Sequence, residues 1–427
     1  MATEFTPAPV AVVSAEARTI AVQDPSAEDV KGAVVTPSPV VPVSRSSDSN
    51  SVTHMRTTFF GVASCIAAAL ACSSWSLDAR AQSEQRIPQL QVDPFWPKPL
   101  PNNWLLGQVA GVAVDSRDHV WIVQRPASLS ERELGAAQNP PLGKCCVAAP
   151  PVLVFDQSGN LVRAWGGPGG GFEWPASEHG IFVDATDSVW LAGNGDNDSQ
   201  ILKFTLDGKF LLQIGRSGQS RGSNDTANLG SPADLSVDAA AHEVYVADGY
   251  RNRRVIVFDS VTGAYKRHWG AYGGRPSDEP TPAYDPAAAP SRQFGNPVHC
   301  VRPTREGLVY VCDRVNNRVQ IFRKDGAFVS EAFFEKNTRL SGSVSELAFS
   351  PDDAQRFIYM VDGVNNELRV VERTTNAVVA RVGRPGRYAG QFHVVHNVAV
   401  DAQGNVYTTE VNTGQRVQRF RRLDPQD

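Results

Sequence analysis

Cysteine is scarce, six in 427 residues, which excludes a small disulfide-dense scaffold. Neither sign of charge is in excess: 41 Lys and Arg stand against 45 Asp and Glu, a formal net charge of -4. That balance excludes a basic nucleic-acid binder, so no nucleic-acid partner is expected. The apolar run from Phe59 to Ala71 stops at 13 residues, short of the roughly 20 that a membrane helix needs, so no stable membrane span is expected. Residues 1-54 lack any aromatic after Phe5 and show neither helical nor strand periodicity. They read as a disordered or non-native upstream extension. Residues 55-81 read as a signal peptide: Met55 and Arg56 open it, the apolar run follows, and Ala79-Arg80-Ala81 is a cleavage site before Gln82. The mature part, 82-427, is therefore expected in the periplasm or outside the cell. There Cys145, Cys146, Cys300 and Cys312 can oxidise. Their pairing stays open, and a 145-146 bridge, which closes a strained ring, is not the expected one.

What is abundant is repetition. An aromatic in an apolar strand recurs at Trp121, Trp190, Tyr245, Tyr310, Tyr359 and Tyr407, each followed by a strand ending at Phe155, Phe204, Phe258, Phe322, Val371 and Phe420. The interval is 12 to 14 residues in five copies and 34 in the first, which carries an insertion from Leu129 to Pro150. Another short strand precedes each aromatic, as in Gly180-Ile181-Phe182-Val183-Asp184, and a Gly-Asp turn leads to a fourth strand. Six such units predict an all-β, six-bladed β-propeller with four-stranded antiparallel blades. The last copy lacks its fourth strand, and the segment around Leu90-Gln91-Val92 is available to supply it, closing the ring and leaving no open sheet edge. Strand polarity puts all the long connections on one face, including the insertion, and tight hairpins on the other. Function is expected on the long-loop face.

Five residues before the end of each first strand lies one position per blade: Ala110, His179, Ala233, His299, Ser345 and His396. Histidine occupies alternate blades. Pseudo-sixfold symmetry makes three imidazoles converge about 120° apart, with small residues leaving room between them. Three neutral imidazoles around an open position suit catalytic Zn2+, and other divalent transition metals remain open. The remaining histidines are placed elsewhere: His119 and His242 in hairpins of the other face, His268 in an outer strand, and His393 in a loop. The ends of the second strands bring Arg125, Tyr250 and Arg314 to the same mouth. Two guanidiniums beside a dication imply a carboxylate-bearing substrate, and a phenol among such charges can act as a general base. The competing reading pairs Arg125 and Arg314 with carboxylates in blade junctions.

The repeats resemble NHL-type propellers. The segments Glu178-His179-Gly180-Ile181, Ala247-Asp248-Gly249-Tyr250, Val298-His299-Cys300 with Asp313-Arg314, and Val395-His396-Asn397 resemble the peptidyl-α-hydroxyglycine α-amidating lyases. That resemblance, covering about Trp104 to Phe420, implies zinc on His179, His299 and His396, a catalytic Tyr250, and substrate arginines at Arg125 and Arg314. It implies cleavage of the C–N bond of an N-acyl-α-hydroxyglycine to an amide and glyoxylate, on a small anionic or peptide substrate with a terminal carboxylate. The chain departs from the family in three places. Asn397 stands where the family has the Asp linked to a structural Ca2+, Arg251 stands where a disulfide would flank the tyrosine, and the insertion has no counterpart. No segment is left for a copper mono-oxygenase domain, so either the hydroxylated substrate is expected from elsewhere or the substrate is a different one, a ureido or other α-hydroxy acid adduct. A monomer is expected. The alternative function is a non-enzymatic NHL propeller that binds a protein or glycan through its long-loop face. A calcium-dependent lactonase-like propeller would need carboxylate and Asn ligands at the mouth, where His, Ala and Ser stand.

Overall fold

The computed structural model describes residues 86–423. The readings of an upstream extension and a signal peptide fall on residues outside that range. Within it, six four-stranded antiparallel sheets follow one another along the chain as the blades of a β-propeller. The first strands are Gln108–Val114, Glu178–Val183, Asp234–Asp238, Val298–Pro303, Glu346–Phe349 and Val395–Val400. Blade 6 is completed from the N-terminal side: Gln89–Asp93 pairs antiparallel with Arg416–Leu423, with Val92 opposite Phe420. The last sheet is thus stitched from both ends of the described chain, as the missing fourth strand implied.

Each blade is too thin to bury its own apolar faces, so the core lies between blades. One cluster joins Val112 and Phe155 of blade 1 to Ala399 and Tyr407 of blade 6. Another joins Trp121 and Val154 of blade 1 to Ile181 and Phe204 of blade 2, and the pattern continues round the ring. The repeated aromatic is held by a recurring device. Trp121 Nε1 donates to Asp115 Oδ2 at 3.0 Å, Trp190 Nε1 to Asp184 Oδ2 at 2.8 Å, and the Tyr407 hydroxyl to Asp401 Oδ2 at 3.0 Å. In each case the hairpin Asp six residues earlier satisfies the polar end of a fully buried ring. A second device crosses from the second to the third strand: the buried pairs Asp248–Arg254, Asp313–Arg318 and Asp362–Arg369 sit at successive blade corners.

Four first strands carry a register irregularity at the long-loop end, between Val109 and Gly111, Glu178 and Ile181, Val298 and Cys300, and Val395 and Asn397. A bulge there turns a side chain out of the regular alternation. His179, His299 and His396 each lie within one. The cysteines pair as Cys300–Cys312, directly opposite on adjacent strands, and as Cys145–Cys146. The second pairing departs from the expectation. The turn around it is clamped from both sides, with Asn103 Nδ2 donating to the Lys144 carbonyl and Val147 N to the Asn103 carbonyl.

Candidate metal centre and anion site

The three histidines meet at the mouth of the central channel. Their ring centroids are 4.7, 4.9 and 5.1 Å apart and the rings stand edge to face. All three are buried. Each imidazole donates from Nδ1 to the backbone carbonyl of the small residue in the next blade: His179 to Ala233 at 2.7 Å, His299 to Ser345 at 2.5 Å, and His396 to Ala110 at 2.7 Å. A carbonyl only accepts, so the proton is fixed on Nδ1 and the Nε2 lone pair of every ring points inward. The small residues at the alternate positions therefore do more than leave room, because their carbonyls fix the tautomers.

Burial pushes the pKa of all three histidines down. For His179 the neighbouring His396 and Arg125 add to it, and for His299 the Arg314 charge does. His396 is lowered to about 3 by burial, with Arg125 and Arg314 contributing. All three are thus held in the neutral form that ligates metal. The unfolded chain takes up protons below about 6.5 that the folded chain refuses. The metal-free protein is therefore expected to lose stability as pH falls below that value, by about 1.4 kcal/mol per pH unit for each histidine. Urea midpoints at pH 7.5 and 5 check this, and equal midpoints would contradict it.

Tyr250 lies against the triad, its hydroxyl 2.9 Å from His179 Nε2 and 3.2 Å from His299 Nε2. Its position depends on Gly249: a Cβ there would sit 2.0 Å from the Val298 carbonyl oxygen, so only glycine lets this loop pass so close to the strand bearing His299. Asn296 Nδ2 pins the loop by donating to the carbonyls of Gly249 and Asn252.

The two arginines behave unlike the others in the ring. Arg254, Arg318 and Arg369 are fully buried and each is paired with an aspartate. Arg125 bonds only to neutral oxygens: Nε to the Glu178 carbonyl at 2.7 Å, Nη1 to Gln108 Oε1 at 2.8 Å, and Nη2 to Asn194 Oδ1 at 3.1 Å. Arg314 donates from Nε to the Ser341 carbonyl at 2.9 Å and stands 6.0 Å from the centre of the Tyr250 ring. Among the described residues neither has a carboxylate partner, which removes the blade-junction reading for both. Burial lowers the pKa of Arg125 from the ordinary guanidinium value, so its charge is held at a cost that an anion would offset.

Three further histidines have partners away from the triad. His119 Nδ1 faces Asp115, His268 Nδ1 meets the Tyr265 hydroxyl, and His393 Nε2 meets Thr413 Oγ1 at 2.9 Å. Gln108 and Asn194 were not singled out from the sequence, and no spacing marks them. Their roles follow from where strand ends of two blades converge on one guanidinium.

Beneath the triad, a single guanidinium is shared by two buried carboxylates. Arg302 bonds Asp234 on one side and reaches Glu346 Oε1 at 3.2 Å on the other. Asn397 points its Nδ2 at Glu346 Oε2, 3.3 Å away. The structural Ca2+ of the resemblance does not fit here: the position offers a neutral amide, and a guanidinium already serves both nearby carboxylates. The triad, by contrast, is a set of three oriented neutral donors whose ligand atoms lie within 4.8 Å of one another. It fits a divalent metal.

No protein-family profile matches the chain. A peptidyl-glycine alpha-amidating monooxygenase B of Xenopus laevis is 25% identical over 343 residues, 76% of this chain and 34% of its own length. A probable peptidyl-alpha-hydroxyglycine alpha-amidating lyase of Caenorhabditis elegans is 24% identical over 72% of this chain and 80% of its own. An NHL repeat-containing protein 3 of Mus musculus is 28% identical over 56% and 58%. The chain thus spans about a third of the length of the amidating monooxygenase it matches. With the six blades, these relatives make the repeats NHL-type, and the chain resembles the amidating lyases.

Proposed function

We propose that the chain is a metal-dependent lyase that cleaves the C–N bond of an N-acyl-α-hydroxyglycine-like substrate, releasing an amide and glyoxylate. The observation that carries this reading is the pairing of a converging, neutral histidine triad with two arginines left without carboxylate partners. A binding scaffold gains nothing from keeping three imidazoles neutral and two guanidiniums unneutralised in one mouth. His179, His299 and His396 would hold the metal, Zn2+ by donor type. When bound, it supplies a positive charge that stabilises the developing alkoxide.

The chain's own residues account for the rest. Arg125 and Arg314 hold the substrate carboxylate and set its orientation. Tyr250, as its phenolate, takes the proton of the α-hydroxyl. The O–H electron pair then forms the carbonyl of glyoxylate, the C–N pair departs with the amide nitrogen, and that nitrogen takes the proton back from the Tyr250 phenol.

Export agrees with the two disulfides, which persist in oxidising compartments. No helix among the described residues is long and apolar enough to cross a membrane. The deciding experiment measures metal per purified chain and glyoxylate release from α-hydroxyhippurate. About one equivalent of zinc with turnover is expected. A metal-free chain that stays inactive after zinc addition overturns the reading.

A further inference from the structure

We propose that Gln108 and Asn194 are positioning residues for the substrate anion, aiming Arg125 by neutral oxygens so that its charge remains available. The proposal rests on the reading of Arg125 as the carboxylate-binding group. A guanidinium carries five N–H donors. In this chain three are used, one each on Nε, Nη1 and Nη2, by the Glu178 carbonyl, Gln108 Oε1 and Asn194 Oδ1. One N–H remains on each Nη nitrogen, free to donate to a carboxylate oxygen.

The Asn194 amide and the Gln108 backbone are themselves fixed. Asn194 Oδ1 also accepts the Ser177 hydroxyl at 2.8 Å, and Asn194 N donates to the Ser177 carbonyl at 2.9 Å. The backbone N of Gln108 donates to Ser128 Oγ at 2.8 Å, and that hydroxyl donates to the Arg125 carbonyl at 2.7 Å. The two residues come from different blades, Gln108 at the start of the first strand of blade 1 and Asn194 just after the second strand of blade 2. Arg125 is thereby held across the blade junction. Elsewhere in the ring the same task is given to aspartate, as in Asp248–Arg254. A carboxylate at position 108 or 194 would hold the guanidinium equally well and cancel the charge that the substrate needs.

Gln108→Glu and Asn194→Asp preserve shape and add that charge. Each is expected to raise KM for α-hydroxyhippurate about 10- to 100-fold while kcat stays within about threefold. Metal content should not change. The dissociation constant of hippurate, a non-reacting N-acylglycine measured by calorimetry, should rise by the same factor. Gln108→Met, which removes the acceptor without adding charge, is expected to raise KM about two- to fivefold. Equal losses in the neutral and charged variants, or a fall in kcat with loss of metal, would assign these residues a purely structural role and overturn the proposal. Should neither charged variant fold, Gln108→Met decides alone: a rise confined to KM sustains the proposal and an unchanged KM overturns it. Hippurate also separates this inference from the lyase reading. Hippurate binding that weakens in the charged variants, without turnover in the parent, sustains the positioning role and rejects the lyase. A parent that turns over substrate but does not bind hippurate overturns the positioning role alone.

Discussion

His299→Ala is expected to release the metal and lower turnover of α-hydroxyhippurate by about a thousandfold or more, with little change in the fold. The expectation follows from how the imidazole is built in. Its Nδ1 is committed to the Ser345 carbonyl at 2.5 Å, and its Nε2 is one of three inward lone pairs. Two remaining imidazoles, in blades 2 and 6, leave a divalent ion with too few protein ligands for a stable site. Losing a charge that supplies several kcal/mol of transition-state stabilisation corresponds to at least three powers of ten in rate. The structural cost is smaller, one buried hydrogen bond worth about 1 kcal/mol plus the cavity left by the ring. His268→Ala is the matched control, since that ring lies in an outer strand against Tyr265. Its turnover should stay within about twofold of the parent. Metal analysis, kcat and thermal melting on the same samples separate the cases, and a His299→Ala protein that keeps its metal and its rate would refute the triad assignment.

The ring was legible in the sequence because a propeller repeats its chemistry. The buried aromatic and the end of the strand after it recur at a near-constant spacing, so counting finds the blades, and the absent last strand points to Leu90-Gln91-Val92. The same counting placed the three histidines at equivalent positions, because symmetry turns a sequence offset into a place in space. Three things that complete the site were hidden. The bulges that swing the imidazoles inward are backbone irregularities that no side-chain pattern records. The carbonyls of Ala233, Ser345 and Ala110 that fix the tautomers belong to every residue type alike, so composition cannot signal them. The neutral side-chain partners of Arg125 sit at strand ends of two different blades, Gln108 opening a first strand and Asn194 following a second, at positions the repeat does not mark. Cysteine pairing was hidden for a related reason. Cys300 and Cys312 face each other only because of the register of one hairpin.

Tyr250→Phe is expected to lower kcat by about a hundred- to ten-thousandfold while leaving metal content, KM and folding nearly unchanged. The ring itself is positioned by backbone, through the close passage of Gly249 against Val298 and the Asn296 clamp, so removing the hydroxyl leaves the loop in place. That hydroxyl donates to the Nε2 lone pair of His179 at 2.9 Å, with His299 Nε2 at 3.2 Å as the alternative acceptor. These are the lone pairs a metal ion would use, and one lone pair cannot serve a proton and an ion together. With the triad ligating, the phenol is left beside the site without its present acceptor, and its oxygen turns to the substrate hydroxyl. The division of labour then becomes measurable. Loss of the phenol acts on a proton transferred during reaction and appears in kcat, whereas loss of charge at Arg125 acts on binding of the carboxylate and appears in KM. Steady-state kinetics of Tyr250→Phe and Arg125→Met on α-hydroxyhippurate, with zinc measured in both, test the split. A Tyr250→Phe protein with parental kcat would remove the phenol from the proton transfer and leave the triad and the arginines to carry the reaction without it.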